Sequence, residues 1–80
     1  MRITVYSTPN CMGCKMTYRE LDKHGIEYDI VDITENAAAR EYVVEELRYQ
    51  QAPVIVVDDN DHWSGFRPDH LDRVAALRAA

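Results

Sequence analysis

No stretch of this sequence stays apolar for long. The longest aliphatic run is Pro53-Val54-Ile55-Val56-Val57, far short of the ~20 apolar residues that cross a bilayer, so a membrane-spanning helix is excluded. The start, Met1-Arg2-Ile3-Thr4-Val5-Tyr6, lacks the continuous apolar segment and the small-residue cleavage site of a secretory leader. The expected location is therefore the cytoplasm. Basic residues are scarce: nine Lys and Arg stand against 14 Asp and Glu, giving a net charge of -5. DNA and RNA are held by cations that neutralise phosphates, so nucleic acid is not an expected partner. Repeats, linkers and low-complexity tracts are missing as well. At 80 residues, a chain buries only about 60% of the surface it exposes when unfolded. One modest core fits, with no deep cavity, so residues 1-80 are read as a single domain and a monomer is expected.

Hydrophobic residues make up 46% of the chain and charged residues 29%, the balance of an ordinary globular protein. Arg2 to Tyr6 alternates Ile3 and Val5 with Thr4 and Tyr6, the pattern of a strand. Ser7-Thr8-Pro9-Asn10 breaks it. Thr8 or Asn10 is the expected cap of a helix that begins near Cys11 and ends at His24-Gly25. Cys14, Thr17, Tyr18 and Leu21 share one face of that helix. A second strand is expected over Ile26 to Asp32, with Ile26, Tyr28 and Ile30 on one face. A second helix is expected from Thr34, with Glu35 in its first turn and a stripe of Ala39, Val43 and Leu47. Pro53 to Val57 is nearly all aliphatic and suits a strand in the sheet interior. Asp58 to Asp61 reads as a hairpin turn, followed by a short strand at His62 to Ser64. A last helix opens with Pro68 and is expected to bury Leu71, Val74, Ala75 and Leu77.

The order is β-α-β-α-β-β-α. A β-α-β unit makes a parallel pair with a right-handed crossover, and the short loop after the third strand makes an antiparallel one. The result is a four-stranded mixed sheet with helices on both faces.

Cysteine is the scarcest chemically active residue, with only two in the chain, Cys11 and Cys14. Their spacing is one helical turn, which puts both sulfurs on one edge. Cys11 falls at the helix start, where unpaired N–H groups carry partial positive charge and favour the thiolate that attacks a disulfide. Lys15, four positions on, is placed to add to that effect. Cys14 is one turn deeper and suits the resolving role. A structural staple is disfavoured: closing so short a loop contributes only ~2 kcal/mol, and a reducing cytoplasm opens it. A zinc site of the finger type is disfavoured too. The histidines are His24, His62 and His70, and no pair of them is spaced ~3–5 residues apart.

Cys11-Met12-Gly13-Cys14, Ala52-Pro53-Val54 and Trp63-Ser64-Gly65-Phe66-Arg67-Pro68 together resemble the thioredoxin/glutaredoxin superfamily and, within it, the NrdH-type redoxins. The resemblance covers essentially the whole chain, and the hexapeptide is its most diagnostic part. It implies the thioredoxin/glutaredoxin fold. It implies a dithiol electron carrier that is reduced by thioredoxin reductase, with electrons from NADPH, and that reduces class Ib ribonucleotide reductase. It implies no bound cofactor or metal. Pro53 matches the family's cis proline opposite the cysteines, with Ala52 beside it as a substrate contact. Trp63, Ser64, Gly65, Phe66, Arg67 and Pro68 match the segment that fills the region where glutaredoxins hold glutathione. Two departures stand out: Gly13 where the family commonly has Gln, and Thr8 where many relatives carry a cation. The rival reading is a glutathione-dependent glutaredoxin. Trp63 reads as core, Phe66 equally as core or docking surface, and Arg67 as a partner in an internal hydrogen-bond network. The tyrosines Tyr6, Tyr18, Tyr28, Tyr42 and Tyr49 read as packing.

Overall fold

In the computed structural model, which describes residues 2–79, four strands and three helices follow the expected order. Met1 and Ala80, the ends of the expected 1-80 domain, lie outside the described residues. The elements are β1 (Ile3–Ser7), α1 (Met12–Lys23), β2 (Tyr28–Asp32), α2 (Ala37–Glu41), β3 (Val54–Asp58), β4 (Asp61–Ser64) and α3 (Pro68–Ala79). The sheet runs β2-β1-β3-β4. β1 and β2 are parallel, with Val5 beside Ile30, while β1–β3 and β3–β4 are antiparallel.

Alternation along β1 sorts the two faces of the sheet. Ile3, Val5, Ile55 and Trp63 point to the face where Leu21 of α1 and Leu71 and Val74 of α3 complete the main core. Tyr6 and Val54 point the other way, toward Tyr42 and Val43 beyond α2. Burying a side chain such as Leu21 or Leu71 contributes about 1.5–3 kcal/mol, so the expected stripes on α1 and α3 are what hold the helices to the sheet.

Four expectations need correction. β2 starts at Tyr28 rather than Ile26, which is buried just ahead of it; Ile30 keeps the expected face but is 53% exposed. It shares Val5's face but sits on the edge strand, beyond the cover that α1 and α3 give. Leu77 is 67% exposed. At 3.6 residues per turn it lies roughly 120° from Leu71 and about 60° past buried Val74, beyond the edge of the buried arc.

The second helix starts later than Thr34. The Asp32 carboxylate accepts from the Thr34 N–H at 2.8 Å and its hydroxyl at 2.6 Å, a local turn that competes with helix. The cap is Asn36, whose Oδ1 accepts the Ala39 N–H at 3.0 Å. Beyond Glu41 the helix widens into a π turn over Tyr42–Glu46, with the Leu47 N–H reaching Tyr42 O. Arg48, at φ 64, ends it.

Finally, neither Thr8 nor Asn10 caps α1; Cys11 does. Asn10 takes φ 58, and that left-handed step turns the chain so that the Cys11 sulfur lies over the first turn.

Candidate redox-active site

The site is built from three segments that the sequence keeps far apart. The first is the start of α1. Cys11 is extended, at φ -96 and ψ 106, and its Sγ accepts the Cys14 N–H at 3.1 Å. A sulfur in the cap position thus receives one of the free amides of the helix start. Cys11 and Cys14 are joined in a disulfide, with their Cα atoms 5.2 Å apart. Cys14 is buried, whereas Cys11 is partly open. Met12, between them, is 69% exposed. Lys15 is exposed, and its N–H donates to Cys11 O at 3.2 Å. Thr17, fully buried, returns its hydroxyl to Gly13 O at 2.8 Å and steadies the turn.

The second segment is the loop before β3. The Ala52–Pro53 peptide bond is cis, and Pro53 is buried against the start of α1. Gly13 is where they meet: a Cβ there would lie 3.1 Å from Pro53 Cδ and 3.9 Å from Phe66 Cβ. The missing side chain is what lets the helix start approach the proline. In the sequence Gly13 stands out only as a departure from the family's usual Gln; a glycine inside a packed helix start is the available sign of a close approach. Beside this loop a groove of about 330 Å³ opens between the sheet and α2, lined by Tyr6, Thr8, Arg40, Gln51 and Ala52 among others.

The third segment is the hexapeptide. Ser64 pairs with Val54 across β4 and β3, and the Gly65 N–H donates to Pro53 O at 2.8 Å. That bond ties the hexapeptide directly to the cis-proline loop. Phe66 is half-buried, packed on the core and facing Gly13. Trp63 is buried, stacked on His70 with ring centroids 4.7 Å apart, and is core as expected. Arg67 forks onto Asp69 at 3.1 and 2.8 Å. Its hydrogen bonds hold the Asp69 carboxyl below the usual carboxylate range, so the two groups keep each other charged. The internal network expected for Arg67 is not what forms: its partner is its neighbour at the head of α3, in a pair whose side chains are 50% and 62% exposed. Pro68 opens that helix without an N–H to offer.

The histidines stay away from the sulfurs. His62 Nδ1 lies 2.8 Å from the Tyr49 hydroxyl, His70 is on Trp63, and His24 closes the far end of α1. Tyr6 packs with Tyr42, Tyr18 with Tyr28, and Tyr49 edge-on against His62, the packing role read from the sequence.

A disulfide one helical turn long, capped by a helix start and backed by a cis proline on this sheet, defines a thiol–disulfide redox protein of the thioredoxin fold. Residues 3–63 match the glutaredoxin family model. The glutaredoxin-like protein NrdH of Lactococcus lactis subsp. lactis is 44% identical over 73 residues, covering 91% of this chain and 99% of the relative. Gene 56 protein of Mycobacterium phage D29 is 42% identical over 72 residues, 90% of this chain and 80% of its own length. The solved structure of the glutaredoxin-like protein NrdH-redoxin from Escherichia coli, described as having a thioredoxin-like activity profile, superposes with a TM-score of 0.84. It is 32% identical, and the match covers 92% of this chain and 95% of that one. The chain belongs to the glutaredoxin family, as a glutaredoxin-like protein of the NrdH type. No helix among the described residues is long and apolar enough to cross a membrane.

Proposed function

We propose that this protein is a dithiol electron carrier that reduces a protein disulfide, that of class Ib ribonucleotide reductase, and is itself reduced by thioredoxin reductase in the cytoplasm. The observation that carries the reading is the contrast between the two sulfurs: Cys11 partly open and supplied with a backbone amide at 3.1 Å, Cys14 buried one turn below.

In the reduced protein the Cys11 thiolate attacks one sulfur of the substrate disulfide. A Cys11–substrate disulfide forms and the other substrate sulfur leaves as a thiolate. Cys14, deprotonated, then attacks the Cys11 sulfur. The Cys11–Cys14 disulfide closes and the second substrate sulfur is released. Two electrons have passed to the substrate, and the reductase returns two, ultimately from NADPH. No cofactor bound to this chain takes part in any step.

A protein substrate suits the surroundings. Ala52 and the groove beside it offer an extended segment a place to lie along the cis-proline loop, and Met12, between the cysteines, is exposed. Glutathione suits them less. Its carboxylates need free cations and aimed N–H donors. At the head of α3 the Arg67 fork is already spent on Asp69, Pro68 has no N–H, and Phe66 fills space against Gly13. The test runs two assays side by side, NADPH consumption with thioredoxin reductase and a glutathione-coupled assay. Efficient turnover is expected in the first and little in the second. Efficient glutathione coupling with no turnover by thioredoxin reductase would return the chain to the glutathione-dependent glutaredoxins.

A further inference from the structure

Far from the sulfurs, the end of α1 meets α3 through three side chains that carry donor atoms. His24 Nε2 lies 3.8 Å from Glu20 Oε2 and 3.4 Å from Asp72 Oδ1. The three donor atoms all fall within 4.8 Å of one another. Glu20 and His24 stand one turn apart on α1, and Asp72 comes from α3, so the set joins two helices that meet chiefly through side-chain packing. We propose that Glu20, His24 and Asp72 bind one divalent transition-metal cation of the zinc type, clipping the end of α1 to α3.

Four observations carry the proposal. The donor set is one imidazole nitrogen and two carboxylate oxygens, a combination that first-row divalent cations accept. The spacing fits: zinc bonds of ~2.0–2.1 Å in a tetrahedron put ligand atoms roughly 3.3–3.4 Å apart. The His24–Asp72 edge already has that length, the Glu20–His24 edge needs to close by a few tenths of an ångström, and the Glu20–Asp72 edge, within 4.8 Å, needs to close by up to about 1.4 Å through rotation of the exposed Asp72 side chain. Two of the three donors are held against the protein, since the Glu20 and His24 side chains are each 27% exposed, against 68% for Asp72. Finally, His24 is the C-cap of a 12-residue helix, and the negative end of a helix dipole favours a cation. Water completes the coordination on the exposed Asp72 side. The finger-type spacing sought in the sequence could not reveal this set, because Asp72 joins only through the fold.

The site is independent of the redox reading. α1 is about 18 Å long at 1.5 Å per residue, with Cys11 at one end and His24 at the other. The clip acts on stability, holding α3 and α1 together at the end away from the disulfide.

The test uses the intact oxidised protein, in which the Cys11–Cys14 disulfide keeps thiolates from competing for metal. Zinc chloride is titrated in by calorimetry, and thermal melts are run with and without zinc and with a chelator. Expected are one-to-one binding and a rise in Tm of roughly 6–11 °C at about ten times the dissociation constant, reversed by the chelator. His24→Ala and, on the other helix, Asp72→Asn are each expected to weaken binding by about tenfold or more. His62→Ala and His70→Ala are expected to leave it unchanged. Because binding and the zinc-dependent shift are compared within each variant, a change in basal stability does not obscure the result. Absence of binding at millimolar zinc would overturn the proposal, as would binding that survives His24→Ala or depends on His62 or His70.

Discussion

Cys11 holds a position where local geometry and chemistry coincide. A cap residue lends a side-chain acceptor to the amides of a helix start, and here that acceptor is sulfur. In the reduced protein the same amide favours negative charge on Cys11, while Cys14 has no such outlook from beneath it. Cys14→Ser is therefore expected to accumulate a mixed disulfide with a protein substrate, trapped for want of the second thiol, and Cys11→Ser to form none. Non-reducing gels after incubation with an oxidised substrate read both outcomes, and the reverse pattern would overturn the assignment. Most of this was legible in the sequence, because two cysteines one turn apart at a strand-to-helix junction constrain their own geometry. The cap was not. Thr8 and Asn10 are good capping types, and only the left-handed step at Asn10 shifts the boundary by a residue and hands the role to sulfur.

At the scale of elements, helix and strand types followed from periodicity, and the departures have local causes. Asp32 captures Thr34 before a helix can begin there, and Asn36 then starts it. The π turn after Glu41 has no mark in the pattern of Ala39, Val43 and Leu47. It is set where Tyr42 meets Tyr6 and Val43 is buried, contacts that come from tertiary packing. The end of α1 was read correctly. Gly25 has φ 66 and gives its N–H to Asp22 O at 3.1 Å, with open space around a would-be Cβ. Gly25→Ala is accordingly expected to lower stability by about 1–2 kcal/mol through backbone strain alone. Gly25→Asn should cost less, since Asn tolerates this conformation better. Urea unfolding of the two variants checks the ranking, and an Ala variant as stable as the parent would remove the strain argument.

For the whole molecule, long-range ion pairs tie the edges of the fold together. Asp61, opening β4, holds Arg73 of α3 at 2.8 and 3.0 Å, and the hydrogen bonds from Arg73 push its carboxyl below the ordinary carboxylate range. Above an unfolded-state value of ~3.9 the pair contributes in full; as pH falls through the lower native value, protonation removes it. Asp61→Asn is expected to lose no more than about 1 kcal/mol at neutral pH, since both groups are partly solvated. The difference from the parent should close in acid. Urea unfolding across pH tests this, and a difference that stays constant into acid would show that the pair is not its source. Neither partner could be named from sequence, because the pairing depends on how α3 crosses the sheet.

β2 lies at the border of the sheet with Ile30 uncovered, and a bare strand edge invites another chain to pair with it. The border is guarded by charge. Glu27 and Asp29 receive the Arg2 guanidinium from β1's side, and Asp32 closes the strand. A second copy adding itself there would align its own row of carboxylates with this one, in a molecule already at net charge -5. The acidity that argues against nucleic acid thus also opposes the pairing of two copies along this edge of the sheet.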